Sequence, residues 1–191
     1  MIEHILVSKV RVKLLRLFFT DITKVLHIRA VARELDEEIN AVRRELKNLT
    51  EAKIFKSQKS GNKIYYEINL KSPLFYEILG LVNKEFGLGS MILAELETIG
   101  KVKYAILTSN YVNNQKPSKF DVDLLLVGEI DLDKVTKIIK AAEKELKKEI
   151  RYTVMTDGEF IERKRKRDVF TRNIINRHKI MLVGNEDRLM S

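Results

Sequence analysis

The 191-residue chain is 45% hydrophobic and carries 36 Lys and Arg against 27 Asp and Glu, enough apolar material for two small cores and a formal charge of +9 that favours polyanionic partners. No run of about 18 apolar residues is present to span a membrane, and charged residues from Glu3 to Arg16 interrupt the first apolar stretch, so neither a membrane span nor an export signal is expected. The lack of cysteine removes disulfides, thiolate zinc sites and cysteine nucleophiles, and the scattered His4, His27 and His178 make no metal cluster, so a cytoplasmic protein is expected.

Val7, Val10, Leu14, Leu17 and Phe18 recur at helical spacing and predict a first helix. Ile28, Val31, Ala32 and Leu35 predict a second. Ile39, Val42, Leu46 and Leu49 predict a third, with Asp36 offering a cap oxygen and Glu37 and Glu38 adding charge that suits the helix dipole. From Ile54 to Asn69 the period changes to two, with Ile64, Tyr66 and Ile68 alternating and Ser60-Gly61-Asn62 supplying the turn of a hairpin. Three short helices followed by a hairpin is the order of a winged helix-turn-helix domain over residues 1–72, although apolar spacing alone would suit any small helical domain.

With the third apolar stripe turned inward, Asn40, Arg43, Arg44, Lys47 and Asn48 occupy the opposite face. Arginine can pair with both major-groove acceptors of guanine, asparagine can bridge adenine, and Lys47 suits a phosphate. Lys56, Lys59, Asn62 and Lys63 surround the hairpin turn, where they would meet a phosphate backbone or a narrow minor groove, or would simply solvate an exposed sheet edge. The run from Asn40 to Leu49 and the segment from Lys59 to Tyr66 resemble winged-helix regulators of the broad ArsR/MarR-like type, over about residues 8–70. That resemblance implies double-stranded DNA as partner and a homodimer on palindromic operators. The helix at 73–86 is a natural place for the dimer contact.

Ser72-Pro73 marks a boundary, and Leu74, Ile78, Leu79, Leu81, Val82 and Phe86 predict a helix that ends near Gly87, within a stretch of linking helices over 73–99. Beyond Gly100 the pattern becomes α/β, making the chain α+β overall. Strands are predicted at Val102–Leu107, Val122–Val127, Ile150–Met155 and Lys179–Val183, with helices at Leu132–Leu146 and near Asp157–Arg167, in a domain spanning 100–191. Asn110 to Lys119 reads as a polar loop.

Asp121 and Asp123 stand two apart at the start of a β run, a spacing that lets both carboxylates reach one divalent cation and that also fits a solvated strand start. The order strand, Thr108-Ser109, loop, Asp121-Val122-Asp123 resembles the minimal nucleotidyltransferase fold of the DNA-polymerase-β-like kind, over roughly residues 100–160. The resemblance implies Mg2+ held by Asp121 and Asp123, Ser109 as the serine of a turn whose glycine lets the backbone approach a nucleotide triphosphate, and a third acid on a later strand. Thr108 stands where that family has glycine, no small second glycine occurs among Tyr111 to Gln115, and Arg151 and Thr153 hold the face where the acid belongs, with Glu149 at the strand's beginning. These departures imply a degenerate domain that senses or scaffolds, with a nucleotide as its ligand. A winged helix joined to such a domain is similar to a class of prokaryotic regulators.

Lys and Arg outnumber Asp and Glu 15 to 9 over residues 1–72 and 8 to 2 over 160–180, but not over 73–159, where they stand 12 to 14. The second basic stretch centres on Arg163-Lys164-Arg165-Lys166-Arg167, which can meet DNA or RNA phosphates or form a solvated helix end. The expected function is a DNA-binding transcriptional regulator. The alternative is a magnesium-dependent nucleotidyltransferase, antitoxin-like in role, targeted by its winged helix.

Overall fold

The computed structural model describes residues 7–113 and 121–190, which form a mixed α+β chain of ten helices and two small sheets. The chain divides into two compact units, residues 1–85 and 86–191. That division passes through the expected linking stretch 73–99, giving its first helix to one unit and its second to the other.

The first unit runs α1 (Lys9–Phe19), β1 (Leu26–His27), α2 (Ile28–Leu35), α3 (Ile39–Glu51), β2 (Phe55–Ser60), β3 (Lys63–Ile68) and α4 (Phe75–Glu85). The Ser8 hydroxyl caps α1 by accepting from Arg11 N at 3.2 Å. The helix buries Val12, Leu14, Leu15, Phe18 and Phe19, a face rotated from the expected one, and Val7 is 99% exposed. The rotation follows from the two neighbours that α1 must cover. Phe18 meets Phe55 edge-on at 4.8 Å, while Phe19 packs against Phe75 of α4 at 6.0 Å. Helix α4 thus spends Phe75, Leu79 and Val82 on the core of its own unit, leaving Leu81 exposed along with Leu74 just before the helix.

Asp36 does not cap α3. It closes α2 in the left-handed conformation at φ 51°, where its N–H donates to Ala32 O and Arg33 O, and aspartate is among the few non-glycine residues that tolerate this geometry. Glu38 occupies the N-cap of α3 without a side-chain bond, and the Glu37 carboxylate is drawn to Lys13 Nζ at 2.6 Å. Val42, Leu46 and Leu49 are buried as the period requires, but Ile39 is 39% exposed and Glu45 takes a place in the buried stripe, accepting from Arg11 Nε at 2.9 Å.

Strands β2 and β3 pair antiparallel from Phe55↔Ile68 to Ser60↔Lys63, with Gly61 at φ 57° in the two-residue turn. Phe55, Tyr66 and Ile68 bury the base of this hairpin, and Ile64 near the tip stays exposed. The two-residue β1 adds to the other edge of β3, giving the order β1-β3-β2.

The second unit runs α5 (Leu88–Ala94), β4 (Gly100–Leu107), α6 (Ser109–Asn113), β5 (Leu124–Ile130), α7 (Leu132–Leu146), β6 (Tyr152–Met155), α8 (Asp157–Arg165), α9 (Val169–Asn176), β7 (Ile180–Val183) and α10 (Glu186–Met190). Its sheet has the order β6-β5-β4-β7, with β5 and β6 parallel and the other pairs antiparallel. Leu124 to Val127 are all buried, as a continuous apolar run in a central strand predicts. Leu125 and Val127 join Tyr104, Ile106, Met155, Phe160, Ile174 and Leu189 in one core cluster. Gly128 sits opposite the irregularity between Val102 and Tyr104 at φ 147°, where a Cβ would lie 2.1 Å from Lys101 O. Asp131, Thr156 and Asp168 cap α7, α8 and α9 with their side chains.

Candidate functional site

In the first unit, the inward set Val42, Glu45, Leu46 and Leu49 leaves Asn40, Arg43, Arg44, Lys47 and Asn48 exposed along the other side of α3. Arg43 Nη1 donates to Asn40 Oδ1 at 2.7 Å, one turn apart, and Lys47 Nζ lies 3.7 Å from the Glu51 carboxylate. Among the described residues Arg44 makes no ion pair. Lys56 sits 3.7 Å from Glu67 across the hairpin, whereas Lys59, Asn62 and Lys63 surround the exposed tip.

A groove of about 520 Å³ joins these pieces. Arg43 and Ile39 from α3, Asn62, Lys63 and Ile64 from the hairpin tip, and His27, Ile28 and Arg29 from the start of α2 line it. Three cations, Arg29, Arg43 and Lys63, therefore share one concave surface with the exposed Ile39 and Ile64. Arg44, Lys47, Lys56 and Lys59 lie outside the groove. Sequence reasoning does not single out Arg29 or His27 as site residues. The signal for Arg29 is its place in the first turn of α2, but its neighbourhood exists only because the hairpin folds back beside that turn. His27 already has one ring nitrogen engaged, since Nδ1 accepts from Ala30 N at 3.2 Å and caps α2.

In the second unit, the Thr108-Ser109 step leads from β4 into α6. Thr108 is buried, its N–H donates to Asp123 O at 3.0 Å, its hydroxyl donates to Val122 O, and the same oxygen accepts from Asn110 N at 3.3 Å. A glycine here could make only the first of these bonds, so the threonine has a structural use of its own. Asp121, Val122 and Asp123 all precede β5, and the two acids part company. Asp123 is 4% exposed and its Oδ2 accepts from Arg151 N at 3.0 Å while its own N–H donates to Arg151 O at 2.7 Å, so the residue ties the entry of β5 to that of β6. Asp121 instead lines a cleft of about 500 Å³ with Ser109, Asn110, Asp168, Asn173 and Arg177, and Arg177 Nη1 approaches its carboxylate to 3.9 Å.

This donor set does not match a two-metal centre. One carboxylate is occupied by a backbone N–H, the other faces a guanidinium, and Arg151 and Thr153 are the half-buried residues at the expected position of a third acid. Glu149 is 79% exposed at its side chain and its carboxylate lies 4.0 Å from Arg151 Nε. Among the described residues no group of three or more His, Asp or Glu could hold a metal ion. Most of the polar loop, residues 114–119, lies outside the described residues; its first part forms α6.

Helix α9 supplies half of the cleft and is absent from the expected elements. Its signals are present in Asp168, which accepts from Thr171 N at 3.0 Å, and in the spacing of Val169, Phe170 and Ile174, but the adjoining basic run obscures them. The Thr171 N–H holds the Asp168 carboxyl below the ordinary aspartate range. Burial pushes the Tyr111 phenol of α6 above its ordinary value; Leu88 N donates to it at 3.4 Å and Lys148 Nζ lies 4.8 Å over its ring.

No protein-family model, curated protein or solved structure matches the chain. Among the described residues no helix is long and apolar enough to cross a membrane.

Proposed function

We propose that the chain is a DNA-binding transcriptional regulator, in which the first unit acts as a winged helix-turn-helix module on double-stranded DNA. The observation that carries this reading is the outer face of α3. Five consecutive outward positions, Asn40, Arg43, Arg44, Lys47 and Asn48, are exposed side chains able to donate to base edges or phosphates, and the buried stripe behind them holds the helix in place. The groove where Arg43 meets Lys63 and Asn62 supports the hairpin as the wing. The exposed Leu81 of α4, with Leu74 just before the helix, is the surface through which two copies would form the homodimer.

Duplexes selected from random DNA, followed by fluorescence anisotropy over a salt series, test the proposal. Bidentate arginine–guanine pairs contribute about 1–3 kcal/mol each, so Arg43→Ala with Arg44→Ala should weaken the selected site by at least roughly thirtyfold and flatten its salt dependence. Equal binding by the double variant would refute the assignment of α3.

The second unit is read as a nucleotidyltransferase-like domain that senses or scaffolds, with a nucleotide as ligand. The strand order, with β4 and β5 antiparallel around the Thr108-Ser109 turn and β6 parallel to β5, supports the likeness, and the engagement of Asp123 and Asp121 by Arg151 and Arg177 supports loss of transfer. A second reading, a magnesium-dependent nucleotidyltransferase with an antitoxin-like role, is favoured by Ser109 and Asp121 lining one cleft. Label transfer from radiolabelled nucleoside triphosphates with Mg2+, abolished by Asp121→Asn, would establish it.

A further inference from the structure

The basic run at the end of α8 is divided by its surroundings. Arg163 is held by Glu159 at 3.1 Å and lies 3.8 Å from Asp168, and Lys166 is held by Glu162 at 2.7 Å. Lys164, Arg165 and Arg167 make no ion pair among the described residues, and all three line a separate cleft of about 540 Å³. Arg167 turns into this cleft from a left-handed backbone at φ 52°, a conformation that side chains other than Gly, Asn and Asp rarely adopt.

Lys103 from β4 and Arg188 from α10 complete the wall, so five cations face one carboxylate, Asp157. That carboxylate is already shared with Lys103, whose Nζ lies 2.6 and 2.7 Å from its two oxygens. Tyr104 and Phe160, with ring centroids 5.8 Å apart, line the same cleft and place apolar, low-dielectric material beside the charges. Like charges gathered on a concave surface with such walls repel one another and focus potential outward, and an anion bearing several charges relieves both effects. Guanidinium forks match phosphate oxygens in pairs, and lysine adds point charge.

We infer that this cleft of the second unit binds a run of phosphates, the chemistry shared by a single-stranded nucleic-acid backbone and the triphosphate of a nucleotide. The cleft is distinct from both the α3 face and the Asp121 cleft, sharing no lining residue with either.

The test uses the full chain carrying Arg43→Ala and Arg44→Ala, which removes two of the three cations of the α3 face, and follows binding of a fluorescent mixed-sequence single-stranded DNA, with sodium tripolyphosphate and ATP as competitors. Lys164→Gln, Arg165→Gln and Arg167→Asn together should weaken binding at least tenfold; asparagine is chosen at 167 because it tolerates the left-handed backbone. The slope of log affinity against log salt should fall by about 2, since each phosphate that the cations neutralise on a single strand adds about 0.7 to it. Asp157→Asn should tighten binding several-fold by releasing Lys103, a gain that misfolding does not imitate. Displacement of the strand by tripolyphosphate and ATP assigns the site to a nucleotide triphosphate, and resistance to both assigns it to a nucleic-acid backbone. The inference is overturned if the parent binds none of the probes, if the triple variant binds them as the parent does, or if Asp157→Asn fails to tighten binding.

Discussion

Arg11 of α1 holds the one charged side chain in the buried stripe of α3, Glu45. Its Nε donates to the Glu45 carboxylate at 2.9 Å, with the Glu45 side chain 6% exposed and the Arg11 side chain 34% exposed. Arg11→Met would leave that carboxylate buried without its ionic partner. Removing one partner of a fully buried pair costs about 3–5 kcal/mol, and a hydrogen bond to a charged group contributes about 1.5–3 kcal/mol. Water reaches a third of Arg11, so the lower range applies and about 2 kcal/mol is expected. For a unit of this size that lowers the melting temperature by roughly 8–16 °C. Thermal unfolding followed by circular dichroism on the full chain would resolve it as an earlier transition for the first unit. Two variants sharpen the reading. Lys13→Met breaks the more exposed pair with Glu37 and should cost under about 1 kcal/mol, whereas Arg11→Met combined with Glu45→Leu should recover most of the loss, because no charge is then buried. If Arg11→Met melts within the range of Lys13→Met, the buried pair does not position α3.

Three further outcomes follow from the second unit and the hairpin. Asp123→Ala strands the Arg151 N–H and should destabilise the second unit by about 2 kcal/mol, while Asp121→Ala, facing a mostly exposed Arg177, should cost under about 1 kcal/mol; denaturant titration of both variants checks the order. Gly128→Ala combines positive φ with a Cβ 2.1 Å from Lys101 O and should cost well over about 1 kcal/mol by the same titration, whereas Gly61→Ala meets nothing within 4 Å and should cost about 1 kcal/mol for its left-handed backbone alone. The lowered Asp168 carboxyl means that the folded protein takes up that proton less readily than the unfolded chain. Its stabilising effect is therefore present above about pH 4 and lost as pH falls through the lower folded value, so the stability difference between wild type and Asp168→Ala should shrink towards zero in acid.

Much of the fold was legible because local periodicity reports local burial. The stripe Val42, Leu46 and Leu49 placed the cationic face of α3 outward, Ser60-Gly61-Asn62 marked the hairpin turn, and the uninterrupted run Leu124 to Val127 marked a strand buried on both sides. The bounds of α7, Leu132–Leu146, are those that the sequence predicts, and the structure adds the Asp131 cap. Elements without a period of their own were not legible. The strand β1 has two residues and exists only because β3 offers an unpaired edge, and α9 lay beside a charged run that dominated its reading.

Charged groups show the same division more sharply. The order of residues established that cations are gathered at two places along the chain. Which of them remain available was decided by partners far away in sequence. Arg11 neutralises Glu45 from 34 residues away, Asp123 spends its oxygen on Arg151 N from 28 away, and Lys103 reaches Asp157 across 54, while Lys164, Arg165 and Arg167 are left to line a cleft together. Coulomb attraction and desolvation depend on distance in space and on burial, and only the folded chain sets either.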